Sequence, residues 1–469
     1  MKISKTTKNT FHKVYLGKNI SDLENLILSE KEKTYIFDKF SSEKNKQILS
    51  LKRYDETIHL CFCNNNDLEK FRCLGDEIQS FVCEDKEKIF SFTNFSDNEN
   101  ATIAFLEGAI LGNYQFDKYL SKKKGKIEEI VVSSPLSKEN ISLLINICDA
   151  VIIARELVNE PVSALNSVDL AEKFEEMGKS AGFKVDVFNK NKLESLKFGG
   201  LLAVNQGSVD PPTFSIMEWK PKKAINKKPY VFVGKGVTYD SGGMNLKPER
   251  YMEDMKSDMA GGAAVAALLY VVAKSELPVH IIGLVPATDN RVNGNAMVSG
   301  DIITMFNGKT VEVTNTDAEG RLIMADALSF ADKYSPELVI DIATLTGSAQ
   351  RAIGPFGIVA MGTDDENMYE LKLAGNDVYE RIVEFPFWEE YDKLNKSDVA
   401  DVNNVSSGSY AGAITAGKFL ANFTESPYIH LDIAGTAFVK KRMEYRGIGA
   451  TGSGVRLLFK FLQNISKRK

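Results

Sequence analysis

YVFVGKGVTYDSGGMNLKP, residues 230–248, holds the key to the fold. Its first five residues, YVFVG, form an unbroken apolar run of the kind buried on both faces of a sheet. The run opens into a glycine-rich loop that carries Lys235, Asp240 and Lys247. In open α/β sheets functional groups gather where such loops leave the carboxyl ends of strands. Two further runs, HIIGLVP (280–286) and ELVIDIATL (337–345), have the same apolar character. Segments of helical periodicity lie between them, which predicts a mixed or parallel sheet covered by helices.

Two more segments resemble the first in plan. MKSDMAGGAAVAALLYVVA (255–273) places Asp258 at the mouth of a very apolar helix. Alone, that carboxylate is well explained as a helix cap or N-terminal charge. VTNTDAEGRLIMADAL (313–328) sets Asp317 and Glu319 two residues apart, pointing the same way if the backbone is extended. Gly320 then turns the chain, and Arg321 follows. Together the three segments supply four carboxylates: Asp240, Asp258, Asp317 and Glu319. Four like charges in one pocket raise one another's pKa unless cations neutralise them. Two divalent ions would cancel them, which is the arrangement of a two-metal hydrolase.

Other chemistries find little support. The four histidines (His12, His59, His280, His430) are scattered, and no HExxH occurs. His280 and His430 sit in apolar strand patterns and read as core residues. No GxxxxGK[ST] is present, and no GxSxG surrounds Ser241. GIGATG (447–452) matches GxGxxG but follows the charged run VKKRMEYR rather than a strand, so it reads as a turn before the last helix.

The chain has 469 residues and a net charge of −5, with 43% hydrophobic and 26% charged residues, which excludes a disordered or fibrous protein. An acidic balance disfavours a generic polyanion binder. No secretory signal is expected at the start, and the apolar stretch 260–273 is too short to span a membrane. The five cysteines (Cys61, Cys63, Cys73, Cys83, Cys148) read as reduced thiols of a cytoplasmic protein, with Cys61 and Cys63 buried in a strand. ETIHLCFC (56–63) and KIEEIVVSS (126–134) predict strands, and 100–120 an amphipathic helix. The expected organisation is α/β throughout. A smaller N-terminal α/β domain (1–138) is joined by a long helix (139–160) to a larger C-terminal α/β domain (161–469) with a central mixed sheet.

At these residues the sequence resembles the leucyl (cytosol) aminopeptidase family. NTDAEGRL (315–322) matches that family's signature as it stands, and VGKGVTYDSGGMNLKP and MKSDMAGGAA are similar to its other two metal-loop motifs. Likeness continues through ELVNEP (156–161), LLAVNQGS (201–208), DIATLTGS (341–348), SDVADVNN (397–404), GAITA (412–416) and HLDIAGTA (430–437). It covers essentially all of 150–460. In the N-terminal domain it is confined to GNYQFDKY (112–119).

The resemblance implies a metallo-exopeptidase of peptide turnover. It releases N-terminal residues, preferably leucine or another apolar residue, by water activated between two divalent metal ions per subunit, zinc or manganese. Lys235, Asp240, Asp258 and Glu319 would bind the tightly held ion, and Asp240, Asp317 and Glu319 the more exchangeable one. A lysine can ligate only when neutral, a form that a nearby dication favours. Lys247 and Arg321 match the two catalytic positions, with a bicarbonate at Arg321. Met255, Thr344, Leu345, Gly347 and Ala434, with Ala437, match the pocket for the first side chain. The family also implies a cytoplasmic homohexamer acting on peptides with a free N-terminus, without membrane or nucleic-acid partners. The rival reading is a non-catalytic or DNA-binding relative. It would be expected to lose one of the seven metal and catalytic positions, and none is substituted. The basic stripe SKKKGK (121–126) reads as a solvated loop.

Overall fold

The structure, a computed structural model, describes residues 1–468 apart from 6–7, 19–20, 23–25, 43–46, 64–66, 84, 97, 407 and 409. Its contacts divide the chain into two units: Met1–Cys148 with Arg442–Gly447, and Asp149–Lys441 with Ile448–Lys469. The helix predicted over 139–159 runs Lys138–Asn159, and the division falls within it.

In the first unit a six-stranded sheet, counted among the described residues, runs Lys2–Ser4, Glu129–Val132, Ile89–Asn94, His12–Gly17, Thr57–Phe62, Ile48–Lys52. Neighbours pair in parallel except the last two. Cys61 and Cys63 are buried at the end of Thr57–Phe62, neither of them in a disulfide, and burial raises the Cys61 pKa. The segment 100–120 departs from expectation. Its helix is Glu99–Gly112, ending at Asn113, whose side chain bonds the backbone of Ile127 in both directions. Nor is it amphipathic, because protein surrounds it. A Cβ at Gly75 would fall 2.0 Å from the Phe105 carbonyl oxygen, and one at Gly108 would fall 1.9 Å from that of Arg72. Such close approach of two helices buries even Glu107, which pairs with Arg72 at 2.5 Å. The hexapeptide Arg442–Gly447 belongs to this unit through Tyr445, whose hydroxyl donates to Glu69 Oε2 at 2.9 Å.

The second unit is built on a mixed sheet of nine strands among the described residues, as the apolar runs predicted. The path runs Ile382–Glu384, Ile358–Gly362, Tyr428–Asp432, Leu338–Ala343, Tyr230–Gly234, Ile281–Asn290, Thr213–Trp219, Lys184–Phe188, and Gly236–Asp240 adds to Ile281–Asn290. Tyr230–Gly234 lies between Leu338–Ala343 and Ile281–Asn290, parallel to both, and Tyr428–Asp432 is parallel to Leu338–Ala343. Their carboxyl ends therefore share one edge. Chain leaving that edge carries Lys235, Asn290, Thr344 and Ala434.

The helix after Asp258, Ala260–Lys274, crosses this sheet at close range because its first turn is glycine. A Cβ at Gly261 would lie 2.0 Å from the Ile342 carbonyl oxygen. With the preceding turn the helical run is Met255–Lys274, longer than the 260–273 read from sequence and sufficient in length and composition to cross a membrane. Its apolar window is 83% buried inside the protein, so packing in this core accounts for its hydrophobicity.

Candidate functional site

The loop after Tyr230–Gly234 turns at Gly242 and Gly243, whose φ values of +86° and +65° are left-handed and suit glycine. The turn brings Lys247 N–H back to the Ser241 carbonyl at 2.9 Å. Thr316 locks this loop to the third segment: its hydroxyl donates to the Gly242 carbonyl at 2.6 Å, while its N–H donates to Asn245 Oδ1 at 2.8 Å. The backbone at 317–319 is not extended, contrary to expectation. Thr316–Ala318 forms a 3-10 turn, with Asn315 Oδ1 accepting from Asp317 N–H at 2.8 Å, and Glu319 begins the helix Glu319–Ala331. The turn still brings both carboxylates to one place.

Asp240, Asp317 and Glu319 each contribute an oxygen, and the three lie within 4.8 Å of one another. Lys235 Nζ lies 2.6 Å from Asp258 Oδ2 and 3.0 Å from Glu319 Oε1. It also donates to the Thr344 carbonyl at 3.1 Å, while the Thr344 hydroxyl donates to Asp258 Oδ1 at 2.7 Å. Lys247 Nζ pairs with Asp240 Oδ2 at 2.8 Å and with Asp317. Gly320 makes room for Lys235, since a Cβ there would fall 2.2 Å from Lys235 Cε.

Four carboxylates, of which Asp240, Asp258 and Glu319 are buried, against two lysines leave an excess of negative charge. Burial, then Glu319, pushes Asp240 up to about 7. Burial raises Asp258 well above the carboxylate range and raises Asp317 as well. Burial also opposes the charge on Glu319, but Lys235 and Lys247 outweigh it and hold that carboxyl below its ordinary value. Burial lowers Lys235, yet Asp258, Glu319 and Asp240 more than compensate, so without metal it is an ammonium. Glu319 Oε1 and Oε2, Asp258 Oδ2 and Asp317 Oδ1 are buried and, among the described residues, accept no hydrogen bond of regular geometry. Hard oxygen donors held only by two lysine ammonium groups fit divalent cations.

Lys235, Asp240, Lys247, Asp258, Asp317 and Arg321 line one cavity of about 800 Å³, and Glu319 lies buried behind it. Met255, Thr344, Leu345, Gly347, Ala434 and Ala437 line the same cavity. Burial lowers Arg321 to about 10, still a cation at neutral pH; its Nη1 donates to the Asn404 carbonyl at 2.6 Å. Its Nε is buried without a hydrogen-bond partner among the described residues.

Residues that the sequence reading missed hold this arrangement. Asn290 donates to Asp240 Oδ1 at 2.9 Å and to the Thr316 carbonyl at 3.0 Å. Asn404 accepts from Thr314 N–H at 2.8 Å and donates to the Asn315 carbonyl at 2.6 Å. Asp432 is fully buried and accepts from Leu345 N–H, Thr346 Oγ1 and Ala434 N–H at 3.2, 2.8 and 3.0 Å, tying both pocket loops together. The one available signal was an acid inside the apolar run HLDIAGTA. His430 Nδ1 meets Asp341 Oδ1 at 2.6 Å within the sheet.

Residues 152–459 match the catalytic domain of the cytosol aminopeptidase family. A Chlorobaculum tepidum protein named "Probable cytosol aminopeptidase" is 46% identical over 389 residues, covering 78% of this chain and 76% of its own length. A Brucella suis protein of the same name is 41% identical over 383 residues, covering 79% of this chain and 76% of its own length. Among solved structures, a mutant of tomato leucine aminopeptidase superposes with a TM-score of 0.88 at 27% identity, covering 99% of this chain and 96% of that one. The bottromycin maturation enzyme BotP, in complex with Mn, gives 0.86 at 28% identity over 97% of this chain and 99% of its own.

Proposed function

As this chain belongs to the cytosol aminopeptidase family, we propose a division of labour among its residues. The protein is a metal-dependent aminopeptidase, a hydrolase acting on peptides. The observation that carries the residue assignment is the convergence of Asp240, Asp317 and Glu319 within 4.8 Å. Lys235, Asp240, Asp258 and Glu319 would hold one divalent ion, and Asp240, Asp317 and Glu319 a second, zinc or manganese. When bound, the ions polarise the scissile carbonyl and lower the pKa of the attacking water.

The chain's own groups orient the substrate and stabilise charge. Lys247 stays cationic because Asp240, Glu319 and Asp317 outweigh its burial. Its ammonium would donate to the carbonyl oxygen as negative charge develops there. Arg321, with an unpartnered Nε, would hold a bicarbonate through its planar fork. Asp258, oriented by the Thr344 hydroxyl, faces the free amine of the peptide. Met255, Thr344, Leu345, Gly347 and Ala434 form the wall for the first side chain. Their small or apolar character favours leucine and other apolar residues. Such pockets discriminate by only about 1–3 kcal/mol per methylene, so the preference is broad.

By the same likeness the protein would be a cytoplasmic homohexamer, with the N-terminal unit serving assembly. Family membership and the intact set of seven positions favour catalysis over a non-catalytic or DNA-binding role. The test is hydrolysis of a leucyl peptide and its N-acetylated twin by protein stripped with chelator and reloaded with Mn²⁺ or Zn²⁺. Only the free-amine peptide should be cleaved, and only after reloading. Cleavage of the acetylated twin would overturn the role of the amine, and no cleavage with both ions bound would overturn catalysis.

A further inference from the structure

Asp432 ends the strand Tyr428–Asp432, is 1% exposed, and stands behind the cavity wall rather than in it. Among the described residues no cation meets it at ion-pair distance. The hydrogen bonds that offset its burial come from the two loops that do line the cavity. Its Oδ1 accepts from Leu345 N–H at 3.2 Å and from Ala434 N–H at 3.0 Å, and its Oδ2 accepts from the Thr346 hydroxyl at 2.8 Å. Leu345 and Ala434 belong to the wall assigned to the first side chain, one on each loop. A single carboxylate oxygen therefore sets the spacing of their backbones.

The seam between the loops is held on either side of this contact. Toward the sheet, Ile433 N–H donates to the Ala343 carbonyl at 2.8 Å, extending the pairing of the two parallel strands. Beyond it, a Cβ at Gly435 would fall 2.3 Å from the Gly354 carbonyl oxygen, so the two backbones touch there. Thr346 also caps the helix Gly347–Ile353, its Oγ accepting from Ala349 N–H at 3.0 Å. Its hydroxyl thus joins the carboxylate to the helix that begins with Gly347, another wall residue. Three donors converge on one side chain, and an ionised carboxylate, which only accepts, meets them all. An apolar residue in its place would leave buried N–H groups without an acceptor.

We propose that Asp432 is a positioning residue that fixes the width of the first-residue pocket, and through it the preference for leucine over smaller and larger side chains. This rests on the aminopeptidase reading and on the placement of Leu345 and Ala434 in that pocket. A gap of about 0.5–1 Å forfeits roughly a quarter to a half of the dispersion attraction between two atoms. Slack between the loops therefore costs leucine, which reaches both walls, more than alanine, which does not. The same slack admits a larger ring.

Metal-loaded full-length protein is assayed on Leu-Gly-Gly, Ala-Gly-Gly and Phe-Gly-Gly, with bound metal counted on the same samples. Wild type should prefer leucine to alanine by about tenfold or more in kcat/KM. In Asp432→Ala that ratio should fall by roughly three- to tenfold, through KM for the leucyl peptide, while the phenylalanyl peptide gains on it and metal content holds. Asp432→Asn keeps one oxygen for both N–H groups and turns its amide toward Thr346 Oγ, so it should retain most of the wild-type ratio. Thr346→Val removes one of the three bonds with little change of shape and should shift the ratio the same way by about twofold. An unchanged ratio in Asp432→Ala, or in Thr346→Val should Asp432→Ala not fold, would overturn the proposal, because a merely structural role slows all three peptides by one factor. Wild type that cleaves all three without favouring leucine would overturn the pocket and this proposal while leaving the aminopeptidase reading intact. Cleavage of none would overturn that reading as well.

Discussion

Glu319→Gln is expected to lower kcat/KM on a leucyl peptide by about a thousandfold or more and to strip the protein of bound metal. Glu319 is 1% exposed, and among the described residues neither of its oxygens accepts a hydrogen bond of regular geometry. It faces Lys235 Nζ at 3.0 Å and shares the 4.8 Å cluster with Asp240 and Asp317. Glutamine keeps the shape but removes the charge, and it presents either a weaker oxygen donor or an N–H₂ group to the cations. Glu319 is assigned to both ions, so its loss weakens both together. Loss of an outer partner of a metal ligand typically costs 10–100-fold. A ligand shared by two ions should cost more. Excess Mn²⁺ should restore chelator-treated wild type and leave the variant inactive. Activity within about tenfold of wild type, with metal retained, would show that Glu319 is not a shared ligand. If Lys235 is a ligand as proposed, it must first lose the proton that its carboxylate neighbours favour in the metal-free protein, and metal binding is then coupled to proton release.

Lys247→Ala should behave differently. The expected loss is about 10²–10³ in kcat, the scale of one missing oxyanion donor, with KM little changed and metal content at the wild-type level. Lys247 is 15% exposed at its side chain and rests between Asp240 and Asp317. Metal ions on those carboxylates would replace its partners and leave the ammonium free to face the reacting carbonyl. Lys247→Arg keeps the charge but not its compact shape, so only partial recovery is expected. The two variants therefore separate ligation from charge stabilisation by metal content alone. If Lys247→Ala lost metal along with activity, Lys247 would serve to hold the loop rather than the oxyanion.

The contrast between these residues and their supports shows what could be read without a structure. YVFVG was legible because a strand covered on both faces must be apolar at every position. The three carboxylate segments were legible because each acid lies within three residues of a glycine at the edge of an apolar element. Asp317 and Glu319 were read on the wrong backbone, since an Asn315 cap that starts a helical turn is a local hydrogen bond which side-chain alternation does not register. The amphipathic reading of 100–120 failed because Gly75 and Gly108 let a second helix cover the face assigned to solvent. Arg321 and Asn404 are 83 residues apart, and Asp240 and Asn290 are 50 apart. Partners at such separations carry no spacing signal. Asp432 was visible only as an acid out of place in a strand, and its role emerged from the two loops it ties.

The most direct test is to count bound ions while measuring activity. Chelator-stripped protein would be titrated with Mn²⁺, with elemental analysis of the bound metal and leucyl-peptide hydrolysis measured on the same samples. A site built from Lys235, Asp240, Asp258, Asp317 and Glu319 predicts saturation at two ions per chain, with full hydrolysis only when the second is bound. Full activity at one ion per chain, or in protein with none, would contradict a two-metal centre.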